Sequence, residues 1–393
     1  MSKDSVVIID GARTPMGGLQ GCLSAASAPE LASTAITAAI QRSGIDAADV
    51  DEVFMGCVLP AGLKQGPARQ AARGAGIPDA TGAVTLNKLC GSGMQATIFG
   101  HDSIVAGTNK IVVTGGMESM TNAPHLLPGA RSGVRSGHAT MYDHMFIDGL
   151  EDAYTGKAMG VFAQGTANDH GITREQMDAF AIESLTRAKA AIDDGSLEPE
   201  TAPVTITTRK GETVIKDDEQ PHNAMPEKIP NLRAAFVKDG TITAANSSSI
   251  SDGASALLLM SEEEANKRGL TPMARIVAHS RHSQHPSEFT VAPIGAVKKL
   301  YEKTGWTNDD IDLFEINEAF AMVTMLAINE LGLDHAKVNI HGGACAQGHP
   351  IGSTGSRIIV SLMYALKKLG KKRGVAALCI GGGEATAVGI ELI

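Results

Sequence analysis

Three glycine-flanked segments carry side chains suited to covalent chemistry. They are Asn87-Lys88-Leu89-Cys90-Gly91-Ser92-Gly93, Gly342-Gly343-Ala344-Cys345-Ala346-Gln347-Gly348-His349-Pro350 and Cys379-Ile380-Gly381-Gly382-Gly383-Glu384. A thiolate is a nucleophile, and an imidazole accepts protons near neutral pH. Two thiols and one imidazole, each beside glycines that let a ligand approach the backbone, suggest carbon–carbon chemistry on a thioester.

Cys90 follows the strand-like Ala83-Val84-Thr85-Leu86 and precedes a helix-like run, so the N–H groups of a helix N-terminus should point at its sulfur. That environment favours thiolate, whereas an inert buried cysteine is the competing reading. His349 precedes Pro350, which pushes it out of helical geometry and places the imidazole on a turn before a helix. A cap or a structural hydrogen bonder would fit the same position. Asn317 follows the strand-like Leu313-Phe314-Glu315-Ile316 and has the position of a helix N-cap as well as that of a site residue.

The elements that must position these groups alternate between strand-like and helix-like along most of the chain, the pattern of an α/β protein. Capping signals at Ser27-Ala28-Pro29-Glu30, Thr173-Arg174-Glu175-Gln176 and Ser261-Glu262-Glu263-Glu264 predict helix starts, with stops at Gly44, Gly195 and Gly269. The apolar runs at 53–58, 111–113 and 376–380 predict buried strands. A coarse repeat relates the two ends of the chain. Cys90, a helix-like stretch to Ala106, the strand at 111–113 and Gly115-Gly116-Met117-Glu118 parallel His349, a helix-like stretch to Leu369, the strand at 375–380 and Gly382-Gly383-Glu384. Two similar halves would set the reactive segments facing each other. The stretch from about Ser119 to Ser251 differs, being richer in Gly, Pro, His and Asn, with a hairpin predicted over 205–214. It has the character of an insertion that carries recognition.

Composition narrows the function. The 393 residues hold few aromatics and a net charge of −9, which argues against a nucleic-acid or anionic-membrane binder. No apolar run is long enough to span a membrane, and Met1-Ser2-Lys3-Asp4 leads straight into the strand-like 6–9 run, which together predict a cytoplasmic protein. Five widely spaced cysteines form no disulfide framework, and twelve histidines make no HxxxH-type cluster, so no metal is expected.

Taken together, the segments resemble the thiolase family over essentially the whole chain. The resemblance is carried by Asp10-Gly11-Ala12-Arg13-Thr14-Pro15, 87–93, 114–119, 241–253, Asn317-Glu318-Ala319-Phe320-Ala321, 342–352 and 379–383. It implies a layered αβαβα fold of two similar α/β halves, residues 1–119 with 250–270 and residues 271–393. A loop domain, 120–249, would bind coenzyme A and serve oligomerisation. The implied reaction is reversible condensation of two acetyl-CoA to acetoacetyl-CoA, or thiolysis of a 3-ketoacyl-CoA, with no permanently bound cofactor. In that scheme His349 takes the proton of Cys90, the acyl group rests on Cys90, and Cys379 is the second acid/base. His349 with a water held by Asn317 would form one oxyanion site, and the N–H groups of Cys90 and Gly381 the other.

The resemblance also implies a substrate site built from Ser248, Met159, Phe289, Phe320, Ala319, Leu232, Lys228 and Arg233, with Arg209 and Lys210 as further cations for the CoA phosphates. Several positions depart from the short-chain biosynthetic pattern. Ala158 stands where His is common, Phe289 where Met is common, and 216–232 lacks an Arg. Cys345 and Gln347 vary the His349 segment, Cys345 reading as a small packing residue. The long polar stretch from Asn122 to Asp143 is similar to the loop that joins dimers in tetrameric members, so a tight dimer or a tetramer is expected. A broad-range degradative thiolase is the alternative. A decarboxylating synthase has no need of Cys379, and a non-catalytic carrier would lack one reactive group.

Overall fold

The computed structural model describes residues 5–209 and 211–393; the Met1-Ser2-Lys3-Asp4 lead and Lys210 lie outside the described residues. A ten-stranded sheet forms the frame. Its main path runs Leu313–Ile316, Arg373–Ile380, Glu384–Leu392, Ala274–Ser283, Val6–Arg13, Ser251–Ser261, Ile111–Ser119, Glu52–Gly56 and Gly82–Leu86. Gly17–Gly18 pairs off this path with Ser251–Ser261. The halves meet through two register pairs, Val7 with Arg275 and Ile8 with Ala274. Outward from that seam each half repeats one order, two antiparallel pairings followed by a parallel one. The repeat read from the sequence is therefore a structural repeat, and the helices Ser92–Val105 and Thr354–Leu369 are its equivalent members, packed on each other.

Strand periodicity explains the layering. On Val6–Arg13, Val7 and Ile9 enter the core under the Ala28–Ser43 helix, while Val6 and Ile8 face the two central helices. On Arg373–Ile380, Ala376 and Leu378 face the central helices and Val375 and Ala377 face the core under the Ala292–Thr304 helix. Both faces of these strands are covered, so they read as continuous apolar runs. The result is the αβαβα layering.

Local signals act as the sequence implies. Ser27 and Glu30 form a reciprocal capping box and Gly44 closes the helix at φ 72°. Thr173 caps Arg174–Asp193, and Ser261 caps the short Glu262–Lys267. The expected 53–58 strand stops at Gly56, because Val58 and Leu59 turn their N–H groups onto the buried Glu118 carboxylate at 2.9 and 3.1 Å. The expected hairpin is Val204–Thr208 with Gly211–Ile215.

The segment between Ser119 and Ser251 leaves and rejoins the sheet at neighbouring strands, since Ser119 pairs with Asp252. Its anchor is Arg13, whose Nε donates to Glu200 at 2.5 Å and whose Nη1 donates to Asp218 at 2.6 Å, all fully buried. Among the described residues, no helix is long and apolar enough to cross a membrane.

Candidate active site

Cys90 sits on a turn fixed from several directions. Leu89 takes φ 47°, an uncommon left-handed conformation for leucine. Its N–H donates to Asn87 Oδ1 at 2.8 Å, and its carbonyl accepts from Ser92 Oγ at 2.6 Å. Ser92 Oγ in turn accepts from the Lys88 N–H at 2.8 Å. The Ser92–Val105 helix starts two residues past Cys90, as expected. At Gly91 a Cβ would lie 2.3 Å from Ile380 Cδ1, so glycine lets the Cys90 turn touch the Cys379 strand. Lys88 and Glu384 form an ion pair between the same two segments.

The expectation of a ready thiolate needs correction. Burial pushes the Cys90 thiol up from 9.0 to about 11, against the lowering hydrogen bonds from the N–H groups of Gly381 and Cys90 itself. At that value roughly one site in ten thousand holds a thiolate at neutral pH, so Cys90 rests as a thiol and needs a base.

His349 is oriented to be that base. Its ring lies 2.7 Å, through Nδ1, from Thr354 Oγ1, which lies 3.0 Å from the Pro350 carbonyl oxygen. With the hydroxyl proton on Pro350 O, Thr354 Oγ1 accepts from Nδ1–H, and this assignment leaves the lone pair on Nε2. Nε2 is buried without a protein partner. Burial, reinforced by the Arg357 charge, lowers the imidazole from 6.5 to about 3, so it stands neutral and able to accept. Its turn is pinned by the His349 N–H to Ser249 O at 3.2 Å and by the Gly352 N–H to Glu118 Oε2 at 2.9 Å.

Cys379 is the next-to-last residue of the apolar Arg373–Ile380 strand, fully buried. Burial first, and the Cys90 charge second, raise its thiol well above 9.0. The two sulfurs are therefore neighbours that do not ionise together. The chain then turns through Gly382 and Gly383 at φ 89° and 88°, which presents Gly381 to the cavity. Asn317 is not an N-cap, since Phe320 holds that position for Ala321–Leu331. Its backbone N–H donates to Ala377 O at 3.0 Å, while both side-chain amide atoms are buried without a protein partner. Such a group calls for a water or a substrate atom.

A cavity of about 450 Å³ joins Cys90, His349 and Gly381 to Met159, Ser248, Phe289, Ala319 and Phe320. Its wall is largely apolar, with Phe320 edge-on to Phe236 and Phe289 at 6.0 and 6.5 Å between ring centres. Ser248 is no local turn serine, because its Oγ donates to Ala319 O at 3.0 Å, 71 residues along the chain. Ala158 lies on the wall beside Met159. A second hollow of about 280 Å³ adjoins it through Gln220, Ala244 and Ser249 and carries Leu232 and Lys228. Arg233 is exposed and lines neither hollow, beside the half-buried Leu232. Arg209 is likewise exposed on its hairpin away from both. Cys345 packs near Glu318, whose carboxylate accepts from the Cys345 N–H at 3.1 Å.

Thr354, Glu118 and the wall residues Phe236 and Leu150 were not identified as site residues from sequence. Glu118 stands in the Gly115-Gly116-Met117-Glu118 motif, but nothing in one dimension shows that it holds the His349 turn. Elsewhere, His101, Asp102 and His279 bring possible metal-ligating atoms within 4.8 Å of one another. Asp102 Oδ1 is already shared by the two imidazoles at 3.1 and 2.9 Å, and Oδ2 faces Arg281 at 3.7 Å, so this surface group is an ion-paired cluster.

Comparison with known proteins identifies the family. The family described as "Thiolase, N-terminal domain" matches residues 6–263, and "Thiolase, C-terminal domain" matches residues 270–392. A probable acetyl-CoA acetyltransferase of Dictyostelium discoideum is 46% identical over 389 residues, covering 99% of this chain and 94% of the relative. An acetyl-CoA acetyltransferase of Pseudomonas aeruginosa is 44% identical, covering 98% of each chain. Among solved structures, a thiolase from Ascaris suum in complex with coenzyme A superposes with a TM-score of 0.94 at 41% identity, covering 99% of this chain and 100% of the other. The Bacillus anthracis acetyl-CoA acetyltransferase gives 0.97 at 40% identity, covering 100% and 99%.

Proposed function

Since the chain belongs to the thiolase family, we propose that it is an acetyl-CoA C-acetyltransferase that joins two acetyl-CoA into acetoacetyl-CoA and CoA and runs the thiolysis in reverse. The observation that carries this reading is the meeting of Cys90, His349 and Gly381 on one cavity wall with Cys379 buried behind.

The cycle follows from the resting states. His349 Nε2 takes the Cys90 proton as the sulfur attacks the thioester carbon. The transfer accompanies attack, because both groups rest neutral. Collapse of the tetrahedral intermediate breaks the C–S bond to CoA, and Cys379 gives the leaving sulfur its proton. Having given up its proton, Cys379 is the thiolate base of the second half, and the acyl cap on Cys90 keeps a second negative sulfur from forming beside it. Cys379 then takes a C2 proton from the second acetyl-CoA. The enolate oxygen is held by protonated His349 and an Asn317-held water, and the carbanion attacks the acyl carbon, whose oxygen faces the N–H groups of Cys90 and Gly381. Expulsion of Cys90, which regains its proton from His349, closes the cycle.

The pantetheine arm fits the apolar cavity past Ser248 and Met159, with the nucleotide end toward the hollow at Leu232 and Lys228. In this reading the chain divides into 1–119 with 250–270, 120–249 and 271–393, and CoA recognition is assigned to the middle segment. Within it, Leu127, Val134, Met141 and Tyr142 are exposed on the 122–143 stretch, which supports self-association as a dimer of dimers.

The small Ala158 on the wall favours a second reading, in which longer 3-ketoacyl chains are accepted. Thiolysis of acetoacetyl-CoA compared with medium- and long-chain 3-ketoacyl-CoA decides between them. The expected result is a kcat/KM for acetoacetyl-CoA at least about tenfold above the longer chains. Equal or faster cleavage of long chains makes the enzyme a broad-range thiolase, and no cleavage of any removes the catalytic reading.

A further inference from the structure

Two arginines lie buried in the core, and they are held in opposite ways. Arg13 has two close carboxylates, at 2.5 and 2.6 Å. Arg357 has one, Glu315, at 3.9 Å, and its Nε and Nη2 have no protein partner, although both side chains are at most 4% exposed. A buried ion pair made for stability needs close, satisfied geometry, because taking its charges out of water costs several kcal/mol per ion. Arg13 meets that requirement. Arg357 does not, and its burial calls for another reason.

Its position supplies one. Arg357 lies one turn into the helix Thr354–Leu369, whose first residue, Thr354, orients the His349 ring, so positions 354 and 357 share a helix face. Glu315 lies on the strand Leu313–Ile316, immediately before Asn317. The pair therefore ties the strand that delivers Asn317 to the helix that starts at the His349 turn. We propose that Arg357 and Glu315 are a positioning pair of the active site, in which the guanidinium, held by Glu315, keeps the His349 ring free to accept the Cys90 proton. This rests on the acyl-transfer reading above.

The surrounding charges agree with it. Burial is the larger cause of the neutral His349, and Arg357 is the charged group that acts on it in the same direction. Arg357 itself faces Glu315, Arg13, Glu200 and Asp218. Glu315 faces Arg357, Glu200, Glu318 and Arg13, and burial raises its carboxyl to about 8. A group whose pKa is depressed in the fold is deprotonated above that value. Removing the cation raises the His349 pKa, so the acid limb of any process that needs its free lone pair moves to higher pH.

The test is the pH profile of Cys90 alkylation by iodoacetamide in the substrate-free enzyme, which needs no thiolase turnover and so fails or succeeds separately from the acyl-transfer reading. The double variant Arg357→Met/Glu315→Gln removes both partners, a change buried pairs often tolerate. Its acid limb is expected at least about one pH unit above that of the parent, a tenfold change in rate on the limb. Arg357→Lys, which keeps the charge, is expected to keep the parental limb. A double variant with the parental limb would overturn the proposal, since a merely structural pair changes stability and leaves the profile alone. Should the double variant not fold, 15N NMR of the histidine rings in the parent and in the single variant Arg357→Gln decides. A His349 ring, its proton on Nδ1, that titrates at higher pH in Arg357→Gln than in the parent supports the pair, and one that titrates alike in both contradicts it.

Discussion

Cys90→Ala is expected to lower kcat for thiolysis and condensation by at least about 10⁴-fold, the scale on which removal of a covalent nucleophile acts. The sulfur is the group that forms the acyl intermediate, and no other nucleophile shares the cavity wall in an equivalent place. The substitution also removes a side chain that packs between Val58, Leu59, Met120 and Ile351, so a modest loss of stability will accompany it. CoA binding, by contrast, should change little, because the wall formed by Met159, Ser248, Phe289 and Phe320 is untouched. Steady-state kinetics and equilibrium CoA binding measured on the same sample separate these effects. Loss of turnover with retained CoA binding is the expected outcome, and turnover above a hundredth of the parent would mean that the acyl group is carried elsewhere.

Cys379→Ser is expected to lower the condensation rate by about 10²–10⁴-fold, the range for loss of a positioned acid/base. A hydroxyl is nearly isosteric with the thiol but far less acidic, and burial disfavours its ionisation further. The first half-reaction is predicted to be hit less, since water or His349 can supply the leaving group's proton. Single-turnover mixing with acetyl-CoA measures that half, and exchange of deuterium from solvent into C2 of acetyl-CoA measures the other. Acylation that persists while C2 exchange is lost fits the assignment. C2 exchange at the parental rate would remove Cys379 from its role.

The legible and illegible parts of this molecule divide along a physical line. Capping boxes, apolar strands and the repeat around Cys90 and His349 are local or periodic, and the repeat became the two equivalent central helices. The reactive residues were legible because glycines cluster where backbone must pass close to backbone, as at Gly116, where a Cβ would lie 1.9 Å from the carbonyl oxygen of Gly352 in the His349 turn. What the sequence could not show was set by distant partners. Burial overrides the helix N-terminus at Cys90, Glu118 reaches across to Gly352, and Arg357 meets Glu315 from another layer. Charge type is visible in a sequence and position relative to a cavity is not, so Lys228, on the second hollow, and Arg233, off both, read alike there.

The most direct test is intact-protein mass spectrometry after acid quench of enzyme mixed with acetyl-CoA, followed by peptide mapping. One acetyl group on the peptide that carries Cys90, discharged when CoA is added, is the result expected of this site. An acetyl group that maps to another residue, or none while turnover proceeds, would contradict the covalent mechanism.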